Sequence, residues 1–304
     1  MIHLFFSCDE KFLKQTKVMI FSLCRKTNED VTVHYCNIKT SERALNELKE
    51  FLSIKCGAEL RVYTIDESYF KNFPVGRVTY ETYSRMIAQF ILPQDLDRVL
   101  WLDGDIIVLQ DVSEFYHQDF ENHYYVVCPD MWDGTGFIDE VKEKLNIKKE
   151  NHYFNSGVML MNLDKLRKET DIADILDKCN KLKNILTFQD QDVLNHIYQD
   201  KVKLDDWKKY NCQRSGKPKE MNIDYNNDVV ILHYTGIRKP WDYKFLDNLS
   251  KYWWREYIRQ GGFFELLKTV EFYIKGTVFK LIEKTVRSVS GNLYNKIKKL
   301  IWKV

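Results

Sequence analysis

The stretch VLWLDGDIIVL, residues 99–109, sets two carboxylates and a glycine between two apolar runs. Val99–Leu102 reads as a short buried strand, and Ile106–Leu109 resumes that character after Asp103, Gly104 and Asp105. Acids at i and i+2 in extended backbone point to the same side, and two anions held together are unfavourable unless a cation lies between them. A hard divalent metal would supply it. A solvated Asp-Gly turn joining two strands is the plainer alternative, and for an isolated DxD it is the better one. The rest of the chain has to decide.

Upstream, strand and helix signals alternate: IHLFFSC (2–8), a helical stretch near 12–26, VTVHYCN (31–37), SERALNELKEFLSI (41–54) behind a Thr40/Ser41 cap, AELRVYTI (58–65), and a helix over 79–91 leading through Pro93 to the strand before Asp103. This βαβ order predicts an α/β fold with a mainly parallel sheet flanked by helices. Ligands bind such sheets beyond the carboxyl ends of the strands, where FFSCDEKF and LWLDGD both fall. Downstream come a strand ending at Asp130, an apolar segment entered through Asn155, Ser156 and Gly157, and a helix with Asp190, Gln191 and Asp192 in its first turn. A strand over 229–233 then runs into a Gly, Lys and Pro loop. The segments 66–80 and 205–228 read as loops.

With 304 residues, 44% hydrophobic and 30% charged, the chain can build one large or two smaller globular domains. Its seven cysteines are scattered without a CxxC pair, the pattern of reduced cytosolic thiols. The opening MIHLFFSCDE lacks the basic start of a signal peptide, so a cytoplasmic protein is expected. The longest charge-free stretch, 151–163, falls short of the roughly 18 apolar residues a spanning helix needs. Residues 262–304 carry nine Lys or Arg against three Glu, a net of +6 that leaves −4 on the remainder of a chain totalling +2. That asymmetry argues against a nucleic-acid groove and for an anionic surface met by the C-terminus.

Taken in order, FFSCDEKF (5–12), TYSRMIAQFILP (82–93), LWLDGDIIV (100–108), YFNSGVMLMNL (153–163), FQDQDVLN (188–195) and LHYTGIRKPW (232–241) resemble the retaining glycosyltransferases of family 8. The likeness is strongest to the bacterial lipooligosaccharide α-galactosyltransferases. It implies a GT-A fold over residues 1–245, followed by a helical basic region over 246–304. It implies a UDP-sugar donor, UDP-galactose or UDP-glucose, and a divalent ion, Mn²⁺ or alternatively Mg²⁺. Asp103, Asp105 and His233 would ligate the ion, a donor set suited to Mn²⁺. Gly104 would lie against the donor, and Lys239 and the Gly236 N–H would meet the diphosphate. Asp9 would accept the uracil imide N–H, Ser7 would add backbone bonds and Phe12 would stack on the base. Arg85, Asn155 and Ser156 would bind the donor sugar, and Asp130, Asp190 and Gln191, which also read its hydroxyls, would be the catalytic residues.

Several of these residues have a plainer reading when taken alone. Asp9 suits a helix N-cap, Arg85 a helix surface, Asn155 a turn, and Asp190 a helix dipole. His233 could be a satisfied polar residue at a strand end. Gln191 stands where a double-displacement enzyme needs a nucleophile, and an amide is a poor one, so the resemblance favours same-face substitution. Lys11, Phe12 and Thr235 depart from the usual Asn, Tyr and Cys. The expected acceptor is lipopolysaccharide core oligosaccharide, with the glycan of a serine-rich adhesin as the alternative. A sugar-nucleotide hydrolase or nucleotidyltransferase, and a non-catalytic saccharide-binding protein, are the rival classes.

In the tail, Phe263, Leu267, Val270, Ile274, Val278, Leu281 and Ile282 recur at helical spacing, and Leu293, Ile297, Leu300 and Ile301 repeat the pattern after Ser290 and Gly291. The stripe either packs on the catalytic domain or, with its lysines and Trp302, binds the anionic cytoplasmic face of a membrane.

Overall fold

Leu4, Phe5 and Phe6 are inaccessible or nearly so from either side, as a central parallel strand requires. This strand, β1 (Ile2–Phe6), is followed by α1 (Leu13–Cys24), β2 (Val31–Asn37), α2 (Glu42–Phe51) and β3 (Glu59–Thr64). Ser41 caps α2 by accepting the Ala44 N–H. The computed structural model describes residues 1–71, 73, 79–214 and 223–289. The chain divides into two units, Met1–His233 and Tyr234–Val304.

A 3₁₀ segment, Tyr80–Ile87, leads into α3 (Ala88–Ile91), β4 (Arg98–Leu102) and β5 (Ile106–Val108). The sequence predicts one α-helix over 79–91; instead, most of it is wound more tightly. Ser84 Oγ and Arg85 Nε donate to the carbonyls three residues back, Glu81 and Thr82, in keeping with that winding. Then come α4 (Ser113–Tyr116), β6 (Tyr125–Pro129), α5 (Gly136–Lys144), β7 (Phe154–Asn162), α6 (Leu163–Glu169), α7 (Ile172–Leu182) and α8 (Asp190–Tyr198). The unit closes with β8 (Val202–Leu204), α9 (Trp207–Tyr210), β9 (Cys212–Gln213) and β10 (Ile231–His233). Short elements therefore interrupt the loop expected over 205–228.

Seven strands form one sheet in the order β3-β2-β1-β4-β7-β6-β8. All neighbours are parallel except β7, which runs against both β4 and β6. A second sheet has the order β5-β10-β9. Alternation along β4 sends Val99 and Trp101 into one core and Leu100 and Leu102 into the other, so the sheet is covered on both faces. Because β7 is antiparallel, its beginning lies where β4 and β6 end: Leu102 pairs with Val158, and Cys128 with Asn155. The stretch 155–157 thereby joins Asp103 and Asp130 at the carboxyl edge.

In the second unit, a 3₁₀ turn (Tyr243–Phe245) precedes α10 (Ser250–Gly261) and α11 (Phe263–Val289). Within it, Phe272 packs on Trp254 with ring centroids 4.3 Å apart, Phe279 meets Tyr243, and Gly276 lies against Leu246. The packed side of α11 is thus Thr269, Phe272 and Gly276, a different face from the stripe singled out in the sequence. That stripe is exposed: Phe263, Leu267, Val270, Ile274, Val278, Leu281 and Ile282 are 48 to 68% accessible. Leu293, Ile297, Leu300, Ile301 and Trp302, with the break at Ser290 and Gly291, lie outside the described residues.

Candidate active site

Asp103 and Asp105 follow β4, and His233 ends β10. One ligand atom from each lies within 4.8 Å of the others. His233 Nε2 is 3.2 Å from Asp105 Oδ1 and 3.8 Å from Asp103 Oδ2. The other Asp103 oxygen is engaged: Oδ1 accepts Trp101 Nε1 and pairs with Arg85 Nη2, each at 2.9 Å. One free carboxylate edge, a second carboxylate and an imidazole converge, which fits a divalent ion of the Mn²⁺ or Mg²⁺ kind. Close approach explains Gly157, where a Cβ would stand 2.2 Å from His233 Cε1.

Arg85 is the hub. It is 4% exposed, lies over the Trp101 ring at 4.4 Å, and joins Asp103 to Asp190, whose Oδ2 is 3.1 Å from Nε. Its Nη1 donates to the Ser156 carbonyl and hydroxyl. The sequence's alternative, a surface charge, is excluded by this burial. Asp190 is also buried. Burial pushes its carboxyl up to about 6, against the opposing pull of the Arg85 guanidinium and with a further push from Asp103. Asp130 is raised by burial too, while bonds from the Trp132 N–H, Asn155 and Gln191 hold it down.

Asn155, Gln191 and Asp130 form a closed set of side-chain bonds. Asn155 Nδ2 donates to Asp130 Oδ2 (3.1 Å) and Gln191 Oε1 (3.0 Å), and Gln191 Nε2 donates to Asp130 Oδ2 (3.3 Å). Asp192 steadies the turn before α8 by accepting the Thr187 and Phe188 N–H groups and the Tyr153 hydroxyl. Within that turn Gln189 holds φ 45°, a conformation unusual for a side-chain-bearing residue and sited directly before Asp190 and Gln191.

One participant escaped the sequence reading. Asn211, fully buried after α9, accepts His233 Nδ1–H at Oδ1 (2.9 Å) and donates from Nδ2 to Asn155 Oδ1 (3.0 Å). Only its place one residue before a strand paired with His233 could have signalled it.

The N-terminal loop supplies the remaining residues. Asp9 Oδ1 accepts the Phe12 N–H (2.8 Å), which is the N-cap the sequence offered as the alternative. Ser7 Oγ donates to the Cys36 carbonyl. A Cβ on Gly104 would come within 2.4 Å of Thr16 Oγ1 and 2.9 Å of the Phe12 ring, so Phe12 lies directly beside the two acids' own loop. Gly236 and Lys239 belong to the second unit, where Lys239 Nζ donates to the Tyr234 carbonyl (2.8 Å) and Gly236 turns with φ 72°.

A family model described as glycosyl transferase family 8 matches residues 3–244. The lipopolysaccharide 1,2-glucosyltransferase of Escherichia coli is 29% identical over 245 residues, covering 77% of this chain and 71% of that protein. Among solved structures, the galactosyltransferase LgtC in complex with donor and acceptor sugar analogues superposes with a TM-score of 0.73 at 20% identity, over 84% of this chain and 95% of that one. The glycosyltransferase GlyE of Streptococcus pneumoniae gives 0.66 at 20% identity, over 90% of this chain and 64% of that one.

Proposed function

The chain belongs to glycosyltransferase family 8 and has its GT-A fold, and from that premise we propose that it transfers galactose, or alternatively glucose, from a UDP-sugar to a saccharide with retention of configuration. The observation that carries the reading is the convergence of Asp103, Asp105 and His233 beside the buried Arg85, Asp190, Asn155, Gln191 and Asp130 set. A bound divalent ion would neutralise charge building on the diphosphate leaving group. Asp103, Asp105 and His233 would hold that ion, and Lys239 and the Gly236 N–H would add positive potential at the diphosphate. Ser7, Asp9, Phe12 and Gly104 receive the uridine end. Arg85, Ser156, Asn155, Asp130, Asp190 and Gln191 orient the hexose through hydrogen bonds whose partners are already fixed. The Gln191 amide offers no carboxylate for a covalent glycosyl intermediate, which supports same-face substitution.

The E. coli relative's name, a lipopolysaccharide glucosyltransferase, supports a lipopolysaccharide acceptor, of which the core oligosaccharide is the part proposed here. No described helix is long and apolar enough to cross a membrane. The exposed stripe of α11 and the basic balance of 262–304 support attachment to an anionic cytoplasmic membrane face, beside a catalytic domain of residues 1–245. The test is UDP release from UDP-galactose and UDP-glucose, with Mn²⁺ or EDTA and with or without acceptor, and NMR of the product. Acceptor-dependent, metal-dependent release giving an α-linked product is expected. Release that ignores the acceptor indicates a hydrolase, and a β-linked product refutes retention.

A further inference from the structure

Two backbone N–H groups, which can only donate, fix every amide around the site. Gly157 N–H donates to Asn155 Oδ1 (3.0 Å) and Ser156 N–H to Gln191 Oε1 (3.1 Å), so both side-chain oxygens are assigned without reference to a ligand. Asn155 Oδ1 must then receive Asn211 Nδ2, which turns Asn211 Oδ1 toward His233 Nδ1. A carbonyl oxygen only accepts, so Nδ1 carries a proton, and Nε2, which faces Asp103 and Asp105, is the nitrogen whose lone pair a cation would take. The tautomer that a cation requires is therefore dictated from β7 through two amides. Asn155 uses its Nδ2 on Asp130 and Gln191, so the amide that sets the imidazole is one bond from the hexose-reading group.

We propose that Asn211 is a positioning residue coupling cation binding at Asp103, Asp105 and His233 to recognition of the hexose by Asn155, Gln191 and Asp130. The hexose half of this rests on the glycosyl-transfer reading; the imidazole half does not. Asn211 is 0% exposed, so bulk water does not compete for either bond. Linkage is reciprocal: whatever factor the cation adds to hexose affinity, the hexose adds to cation affinity.

The experiment compares the full chain with Asn211→Ala and the near-isosteric Asn211→Asp. The His233 tautomer is read by long-range ¹H–¹⁵N NMR in metal-free protein. Mn²⁺ affinity is read by EPR titration alone, with UDP and with UDP-galactose or UDP-glucose. The wild type should show Nδ1–H, and Asn211→Ala should shift toward Nε2–H and weaken Mn²⁺ binding about 10–100-fold. Asn211→Asp keeps an acceptor for Nδ1 but loses the donor to Asn155, so its Mn²⁺ affinity should stay within about threefold of wild type while the extra tightening by UDP-hexose over UDP disappears. An unchanged tautomer and Mn²⁺ affinity in Asn211→Ala overturns the proposal. So does an Asn211→Asp variant that keeps the full UDP-hexose effect, and this variant decides alone if alanine does not fold. Wild-type protein whose Mn²⁺ affinity UDP-hexose raises no more than UDP does overturns the hexose half, while the tautomer shift then stands as support for the Asn211–His233 half; the transfer reading falls separately, if UDP release ignores the acceptor.

Discussion

Arg85, Asn155, Asp190, Gln191, Asn211 and His233 are polar side chains less than a tenth exposed; Phe263, Phe264, Leu281 and Ile282 are apolar ones more than half exposed. The first unit thus buries what water would hold, and the second exposes what water would expel. The two departures are sustained differently. In the first unit each of those six side chains is bonded, through Arg85, a strand N–H or a neighbouring amide, so the cluster is braced before any ligand arrives. On α11 the stripe is exposed among the described residues, while the opposite face packs on Trp254 and Leu246. Under the function proposed above, both are places where the chain meets other molecules.

The comparison is broken most severely at the acids. Asp103→Ala or Asp105→Ala removes a charged ligand and should lower UDP release by about 10³-fold or more, as EDTA should on the wild type. Near-wild-type turnover would move the cation site elsewhere. Arg85→Met attacks the rigidity directly by leaving Asp103 and Asp190 without their partner, and urea unfolding at pH 8 should show a loss of about 3–5 kcal/mol. In the wild type Asp190 takes up a proton as pH falls through about 6, and losing the Arg85 guanidinium, which holds that value down, raises it further, so the variant binds the proton first and the loss should shrink as pH falls from 8 toward 6. A deficit that does not vary with pH would show that Asp190 is not the charge that suffers.

A third prediction separates the ligand-site polar cluster from an ordinary one. His34 is held down to about 4 by burial, then by His3, whose Nδ1 lies 2.9 Å from its Nε2. Its folded value is below its unfolded one, so the native state binds fewer protons. That stability is present above pH 6.5 and is lost as pH falls from 6.5 toward 4, by about 3 kcal/mol. His34→Gln should flatten that part of the stability profile; an unaltered acid limb assigns the loss to other groups. The smallest effect on folding belongs to the exposed face. Leu267→Ser with Ile274→Ser should leave the unfolding free energy within about 0.5 kcal/mol, yet weaken binding to anionic vesicles about tenfold. Unchanged vesicle binding would remove the stripe from the membrane reading.

Much of the first unit was legible because its signals are local. The βαβ alternation, the acids after β4 and the 190–192 turn each lie within a few residues, and the structure brings Asp103, Asp105 and His233 together as the motif order implied. What escaped depends on long-range placement. Asn211 reaches His233 across 22 positions and Asn155 across 56, and nothing in its own surroundings marks it. The 3₁₀ winding of Tyr80–Ile87 accompanies side-chain bonds that periodicity does not register. On α11 the apolar residues populate two faces, and spacing alone identifies stripes without saying which of them meets Trp254.

The narrow space at Gly157 carries an evolutionary consequence. Its missing Cβ is the volume that the His233 ring occupies, and that ring is tethered at Nδ1, so one methyl group would force the imidazole away from the acids. A single nucleotide change converts a glycine codon to alanine. A descendant of this gene could therefore keep its sheet, its cores and both acids and still become an inert look-alike, and position 157 is where a genome reader should check first.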